Sequence, residues 1–181
     1  MSGITYLRIV LVPAIMALIL AGHRVRYAYD IAGVAFGVAA ATDFFDGRLA
    51  RRWQQTSMLG SFLDTTADKL LVSGALVALV AVERASPWLA FLIIGREILI
   101  LGLRGAIAAD GAVMKPSIWG KTKAAAQFLA IFLAILRTSS KFGAFYLDQY
   151  AMLLAGILTL GSAVDYIVKF SGVLSRTRDR R

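Results

Sequence analysis

Residues 28–53, AYDIAGVAFGVAAATDFFDGRLARRW, and residues 57–84, SMLGSFLDTTADKLLVSGALVALVAVER, decide what fold this chain can adopt. Both are apolar over most of their length and long enough to cross a hydrocarbon core of about 30 Å. Only Gln54, Gln55 and Thr56 separate them, yet they carry four aspartates, Asp43, Asp46, Asp64 and Asp68. An ionised Asp at mid-bilayer costs about 2.5–3.5 kcal/mol on insertion scales, so four would cost on the order of 10 kcal/mol unless paired, hydrated or metal-bound. Spacing shows what offsets that cost. Asp46, Gly47, Ala50 and Arg51 follow Asp43 at offsets that share one helical face, and Gly60, Asp64 and Asp68 run at strict fours on the next helix. The short connection folds the two helices antiparallel, which can set one carboxylate stripe against the other.

The rest of the chain agrees with a membrane bundle. Of 181 residues 59% are hydrophobic and 17% charged, and the mean hydropathy is +0.71, which nearly excludes a water-soluble domain. With Cys 0, a disulfide scaffold is excluded as well. The reading is all-α and polytopic, with six transmembrane helices at about 3–22, 28–53, 57–84, 87–110, 117–138 and 144–170, and no strand. Residues 1–175 form a single membrane domain and 176–181 a basic tail. The first helix is read as uncleaved rather than as a signal peptide, because Arg8 lies inside it and Arg24 and Arg26 follow at once.

An even number of spans puts both termini on one side. If that side is the cytoplasm it holds 15 of the 20 basic residues, Arg176 to Arg181 among them, leaving Arg24, Arg26, Arg84, Arg137 and Lys141 outside. The formal charge of +9 thus reflects the positive-inside bias and anionic lipid rather than nucleic acid. Trp53, Trp88 and Trp119 fall near helix ends, as interfacial anchors do. The aspartates lie in the cytoplasmic half of their helices, level with lipid headgroups and open to water.

Facing oxygen-rich stripes suit hard divalent cations, and Mg2+ or Mn2+ fits better than zinc in a chain with one His and no Cys. Gly47, Ala50 and Gly60 leave space for a bulky group, and Arg51 can pair with phosphate oxygens. Pairing with Arg48, Arg51, Arg52 and Lys69 would account for one or two aspartates but not for four on matched stripes. The constellation reads as a metal-assisted diphosphate site.

The pattern Asp43-x-x-Asp46-Gly47-x-x-Ala50-Arg51, eight residues, Gly60-x-x-x-Asp64-x-x-x-Asp68 resembles the complete signature of the CDP-alcohol phosphatidyltransferase family. The resemblance implies that family's fold, six membrane helices usually in a homodimer, and transfer of a phosphatidyl group from a CDP-linked lipid such as CDP-diacylglycerol to an alcohol with release of CMP. It implies that Asp43, Asp46, Asp64 and Asp68 hold the metal ions, two per site, that Gly47, Ala50, Arg51 and Gly60 line the CDP moiety, and that Asp68 is the general base.

The acceptor is read from helices four and five. Arg96 and Arg104, eight apart, share a face, and Lys121 and Lys123 lie near the cytoplasmic end of their helix. Cations turned into the bundle suit an acceptor with its own phosphate, such as glycerol 3-phosphate; snorkelling to the interface is the competing reading, above all for Lys115 and Lys123. Gly95 to Arg104, Trp119 to Gln127 and Asp64 to Lys69 are similar to the bacterial branch of the family that uses glycerol 3-phosphate, which implies a cytoplasmic-membrane enzyme. Thr65 stands where that branch commonly has Pro, Ala124 where it commonly has Thr, and Thr5-Tyr6-Leu7-Arg8 lacks the usual preceding Asn.

Two rivals keep the family fold with another acceptor, as in cardiolipin synthase or phosphatidylinositol phosphate synthase types. A third is a divalent-cation transporter, disfavoured by the nearly apolar outer halves at Ile31 to Ala41 and Leu70 to Val82. Gly33 and Gly37 form a small-residue face that serves either as a dimer seam or, more often, as helix packing inside one subunit, His23 is expected in an exposed loop, and Asp165 is read as structural.

Overall fold

The computed structural model describes residues 3–53, 58–109, 118–138 and 141–178, with side chains described at 6–42, 63, 65–107, 120, 122–138, 141 and 143–168. Six helices follow one another: α1 (Gly3–Ala21), α2 (Ala28–Trp53), α3 (Met58–Ala81), α4 (Pro87–Ala109), α5 (Ile118–Leu136) and α6 (Leu147–Arg178). The expected helices are all present, with shifted ends. Helix α3 stops at Ala81 rather than at 84, because Glu83 takes a φ of 57° and the amides of Arg84 and Ala85 turn back onto the Leu79 carbonyl at 2.8 and 3.2 Å. Helix α6 runs on to Arg178 rather than ending near 170.

The expectation of no strand is corrected. Ahead of α6 a minimal antiparallel hairpin pairs β1 (Lys141–Phe142) with β2 (Phe145–Tyr146), Lys141 opposite Tyr146 and Phe142 opposite Phe145. Gly143 makes the turn at a φ of 71°, a conformation that strains any residue with a Cβ. The backbone amide of Tyr146 then donates to Gln149 Oε1 at 3.0 Å at the start of α6.

The most extensive contacts are α5 on α6 and α1 on α3, while α1 and α5 each pack against both α2 and α3. Ile15, Ile19, Phe36, Leu71, Leu76, Leu79, Ile93, Ile131 and Ile135 meet in one buried core. Gly33 and Gly37 face Leu136 and Phe132 of α5, so the small-residue face serves packing within the chain.

Long-range polar contacts fix the direction of the helices. Arg84, past the end of α3, donates to the Ile135 carbonyl at 2.6 Å and lies over the Tyr29 ring of α2 at 3.5 Å. Arg137, past the end of α5, donates to Asp148 Oδ2 at 2.8 Å at the start of α6 and to the Arg84 carbonyl at 2.9 Å. Exposed His23, past α1, meets the Tyr29 ring edge-on at 5.8 Å. One end of the bundle therefore collects the C-termini of α1, α3 and α5 and the N-termini of α2 and α6, so odd and even helices run in opposite directions.

Polarity is distributed as lipid would require. Exposed apolar side chains occur on all six helices, among them Val10, Val34, Val77, Phe91, Leu129 and Val164, while Arg8, Glu97, Lys123, Gln127, Thr159 and Ser162 are buried. Inside, Gln127 Nε2 donates to Thr159 Oγ1 at 2.9 Å, and Thr159 Oγ1 donates back to the Ala155 carbonyl at 2.6 Å, joining α5 to α6. Among the described residues one helical stretch, Leu147–Val168, is long and apolar enough by length and composition to cross a membrane. The apolar stretches Tyr6–Ala21, Ala28–Thr42 and Thr122–Leu136 are shorter. Charged residues within the other helices, including Arg8, Asp43, Asp64, Arg96 and Lys123, interrupt their apolar runs.

Candidate functional site

The end of the bundle opposite the hairpin holds a cavity of about 250 Å3 walled by four helices. Helix α3 contributes Thr65 and Lys69, α4 contributes Arg96, Glu97, Ile100, Leu101 and Arg104, α5 contributes Gly120, Lys123 and Ala124, and α6 contributes Tyr166. The residues at 96, 97, 100 and 104 recur at three and four, which is why one face of α4 supplies so much of the wall. Among the described residues no atom lies within 4 Å of where a Gly120 Cβ would sit. The volume lies below the range of about 300–1,000 Å3 usual for drug-sized ligands, as suits a small polar molecule.

The walls are cationic and tightly organised. Glu97, with 2% of its side chain exposed, accepts from Lys69 Nζ at 2.9 Å on Oε2 and pairs through Oε1 with Lys123, itself 2% exposed. Arg96 Nη1 lies 3.4 Å from the same Oε1, and its guanidinium sits 5.5 Å from the centre of the Tyr166 ring. Arg96 Nε and Nη2 are buried and have no hydrogen-bond partner among the described residues. Buried donors left in that state are costly and mark a place where an acceptor belongs.

Asp68 adjoins this network. Its Oδ2 accepts from Lys69 Nζ at 3.1 Å, while Oδ1 is buried and has no hydrogen-bond partner among the described residues. A buried carboxylate oxygen lacking a donor is a hard ligand of the kind a divalent cation takes, so this part of the site fits such an ion.

Of the other residues expected at the site, Asp43, Asp46, Gly47, Ala50 and Arg51 lie on the second half of α2, Gly60 and Asp64 on the first turns of α3, and Lys121 on the first turn of α5. Their side chains, like all of Lys115, lie outside the described residues. Among the described residues no three His, Cys, Asp or Glu side chains cluster as metal ligands. Arg96, Arg104 and Lys123 line one cavity. Lys123 does not snorkel, because Glu97 holds it in the interior. Sequence reasoning gave no role to Glu97 or Tyr166, and gave Lys69 only a pairing with the aspartates, which it makes with Asp68. The available signal was Glu97 itself, the one acid in a largely apolar α4. Thr65 and Ala124, two of the departures from the related pattern, both line the cavity.

A second cavity, of about 560 Å3, opens at the hairpin end between the α3–α4 turn and the start of α6. It is lined mainly by apolar groups such as Pro87, Phe145 and Leu153, and its Arg84 is already committed to the end of α5.

A helical bundle with exposed apolar side chains on every helix and a buried cationic cavity at one end is the build of a membrane-integral protein. A sequence model of the family described as CDP-alcohol phosphatidyltransferase matches residues 2–161, and the chain belongs to that family of membrane-integral, divalent-metal-dependent enzymes. It is 42% identical over 171 residues to the CDP-diacylglycerol–glycerol-3-phosphate 3-phosphatidyltransferase of Pseudomonas fluorescens, covering 91% of this chain and 86% of that protein. It is 33% identical over 179 residues to the protein of the same name from Bacillus subtilis strain 168, covering 93% of each. It is 35% identical over 169 residues to a probable phosphatidylglycerophosphate synthase of Mycobacterium tuberculosis H37Rv, covering 92% and 78%.

Proposed function

We propose that the protein transfers the phosphatidyl group of CDP-diacylglycerol to glycerol 3-phosphate, giving phosphatidylglycerophosphate and CMP in phospholipid synthesis. The observation that carries this reading is the cavity cation Arg96, whose buried Nε and Nη2 have no hydrogen-bond partner among the described residues and suit an anionic one. The family supplies the reaction class, and the names of the relatives support glycerol 3-phosphate over other alcohols. An acceptor without a phosphate would leave Arg96, Arg104 and Lys121 without their proposed partner.

In this reading Asp43, Asp46, Asp64 and Asp68 hold the metal, Mg2+ or Mn2+ and two ions per site. When bound, the metal supplies positive charge to the diphosphate and to the departing CMP. Gly47, Ala50, Arg51 and Gly60 seat the CDP moiety. Arg96, Arg104, Lys121 and Lys123 bind the acceptor phosphate and place its hydroxyl. Asp68 takes the hydroxyl proton as that oxygen bonds to the phosphorus bearing diacylglycerol, and the bond from this phosphorus to the CMP oxygen breaks.

All six helices span the bacterial cytoplasmic membrane in this proposal, as one domain over 1–175 with a basic tail at 176–181. Both termini and the site face the cytoplasm, the tail meets anionic lipid, and two copies pair. The alternating helix directions put residues 3 and 178 at the site end, in support of this topology. The test is CMP release by purified protein supplied with CDP-diacylglycerol and a panel of alcohols, with and without a chelator. Release with glycerol 3-phosphate alone, abolished by the chelator, is expected; release with a different alcohol overturns the acceptor assignment.

A further inference from the structure

Glu97 has no part in the transfer as described above, yet it organises the cavity. Its two oxygens are divided, Oε2 accepting from Lys69 at 2.9 Å and Oε1 pairing with Lys123 and standing 3.4 Å from Arg96 Nη1. Lys69 is shared in turn, its Nζ lying 3.1 Å from Asp68 Oδ2. The result is a chain of alternating charge, Asp68, Lys69, Glu97, Lys123, running from α3 through α4 to α5. A lysine ammonium is a compact charge on a flexible four-carbon stem, so it goes where the nearest anion is. Without Glu97, the nearest described anion left to Lys69 is Asp68, and Lys123 would look to the anion that enters the cavity.

We propose that Glu97 is a positioning residue for the transfer, an inference that rests on reading the cavity as the acceptor-phosphate site. By pairing with Lys69 at 2.9 Å it fixes that ammonium on the cavity wall. By holding Lys123 against the wall it keeps the acceptor phosphate from sinking onto an uncompensated ammonium away from the reacting atoms. Glu97 thus gives up some ground-state affinity for the acceptor in favour of turnover, because only interactions that strengthen in the transition state raise kcat.

A merely structural role, tying α3, α4 and α5 together, predicts something else: loss of Glu97 would loosen the cavity and raise the acceptor KM in step with lost thermal stability. The two roles separate in the kinetic constants. Purified full-length wild type, Glu97→Gln and Glu97→Asp are assayed for CMP release across glycerol 3-phosphate concentrations at saturating CDP-diacylglycerol, and thermal unfolding is followed in the same detergent. For Glu97→Gln, kcat falls by about tenfold or more while the glycerol 3-phosphate KM falls roughly threefold. Glu97→Asp keeps the charge but, one methylene shorter, reaches one lysine better than two, so it recovers part of the kcat without raising the KM. If Glu97→Gln does not fold, Glu97→Asp carries the test, with a several-fold loss of kcat and no rise in KM expected. A kcat within twofold of wild type, or a raised KM that tracks lost stability in both variants, overturns the inference. Failure of the wild type to use glycerol 3-phosphate at all overturns the acceptor reading instead.

Discussion

Replacing Arg96 with Met should stabilise the protein while disabling its use of glycerol 3-phosphate, and both magnitudes follow from the cavity wall. The Arg96 side chain is 9% exposed, and two of its three nitrogens have no partner among the described residues. Each buried unsatisfied donor costs about 1–3 kcal/mol. Against that, Met gives up the approach to Tyr166 at 5.5 Å, worth about 0.5–2 kcal/mol, and a long 3.4 Å contact with Glu97, which still has both lysines. Met is unbranched and fills the same channel without a polar atom. The balance is a gain of about 1–3 kcal/mol in the ligand-free protein, read as a raised unfolding temperature in detergent. Loss of a charge-assisted hydrogen bond to the acceptor phosphate is worth about 1.5–3 kcal/mol, so kcat/KM for glycerol 3-phosphate should fall about 10- to 150-fold. Glycerol 3-phosphate at 100 times its Kd should stabilise the wild type by about 2.7 kcal/mol and do far less for the variant at that concentration. An Arg96→Met protein that unfolds earlier than wild type yet keeps its acceptor dependence would refute the reasoning and make Arg96 a structural residue.

Asp68→Asn should fold, since Lys69 retains Glu97 at 2.9 Å, but lose CMP release by about a hundredfold or more; turnover near wild type would remove Asp68 from the reaction. Gly74→Ala would set a Cβ 2.6 Å from Val12 Cγ1 and 3.0 Å from Met16 Sδ, an overpacking cost of about 1–3 kcal/mol against a helix-propensity gain of about 1 kcal/mol. Thermal unfolding should show a small loss, and Val12→Ala combined with it should be less than additive. Asp148→Ala leaves Arg137 without its 2.8 Å partner and should cost about 3 kcal/mol of stability, with the glycerol 3-phosphate KM unchanged because the pair sits at the opposite end from the cavity.

The order and extent of the helices were legible because apolar runs in this chain are punctuated by residues that stop helices or face water, such as Ser86-Pro87 and Gly22-His23-Arg24. What was misread is where distant partners decide. The apolar pattern through Val82 gave no reason to end α3 at Ala81. The turn there exists because Arg84 swings out to meet the Ile135 carbonyl and the Tyr29 ring, about fifty residues away in either direction. The hairpin at 141–146 was missed for a related reason. Two-residue strands have too few positions to show alternation, and Gly143 alone signals a turn without saying that two strands flank it.

At the site, spacing within one helix told which residues share a face but not which neighbour that face meets. Arg96 and Arg104 could be placed together from their separation of eight, and both line the cavity. Lys69 and Lys123 could not be joined, because the link between them is Glu97 on a third helix. That link changes the electrostatic reading of the cavity. Four cations, Lys69, Arg96, Arg104 and Lys123, stand there against Glu97 on the wall and Asp68 beside it. Were each cation matched, the pocket would be a buried salt-bridge network with no pull on a ligand, and such networks are often no better than an apolar core. The match is incomplete, and the shortfall falls on Arg96, whose donors have nowhere to go among the described residues. Among the described residues positive charge exceeds negative charge around the cavity, and an entering phosphate would bring the negative charge and oxygen acceptors that suit Arg96.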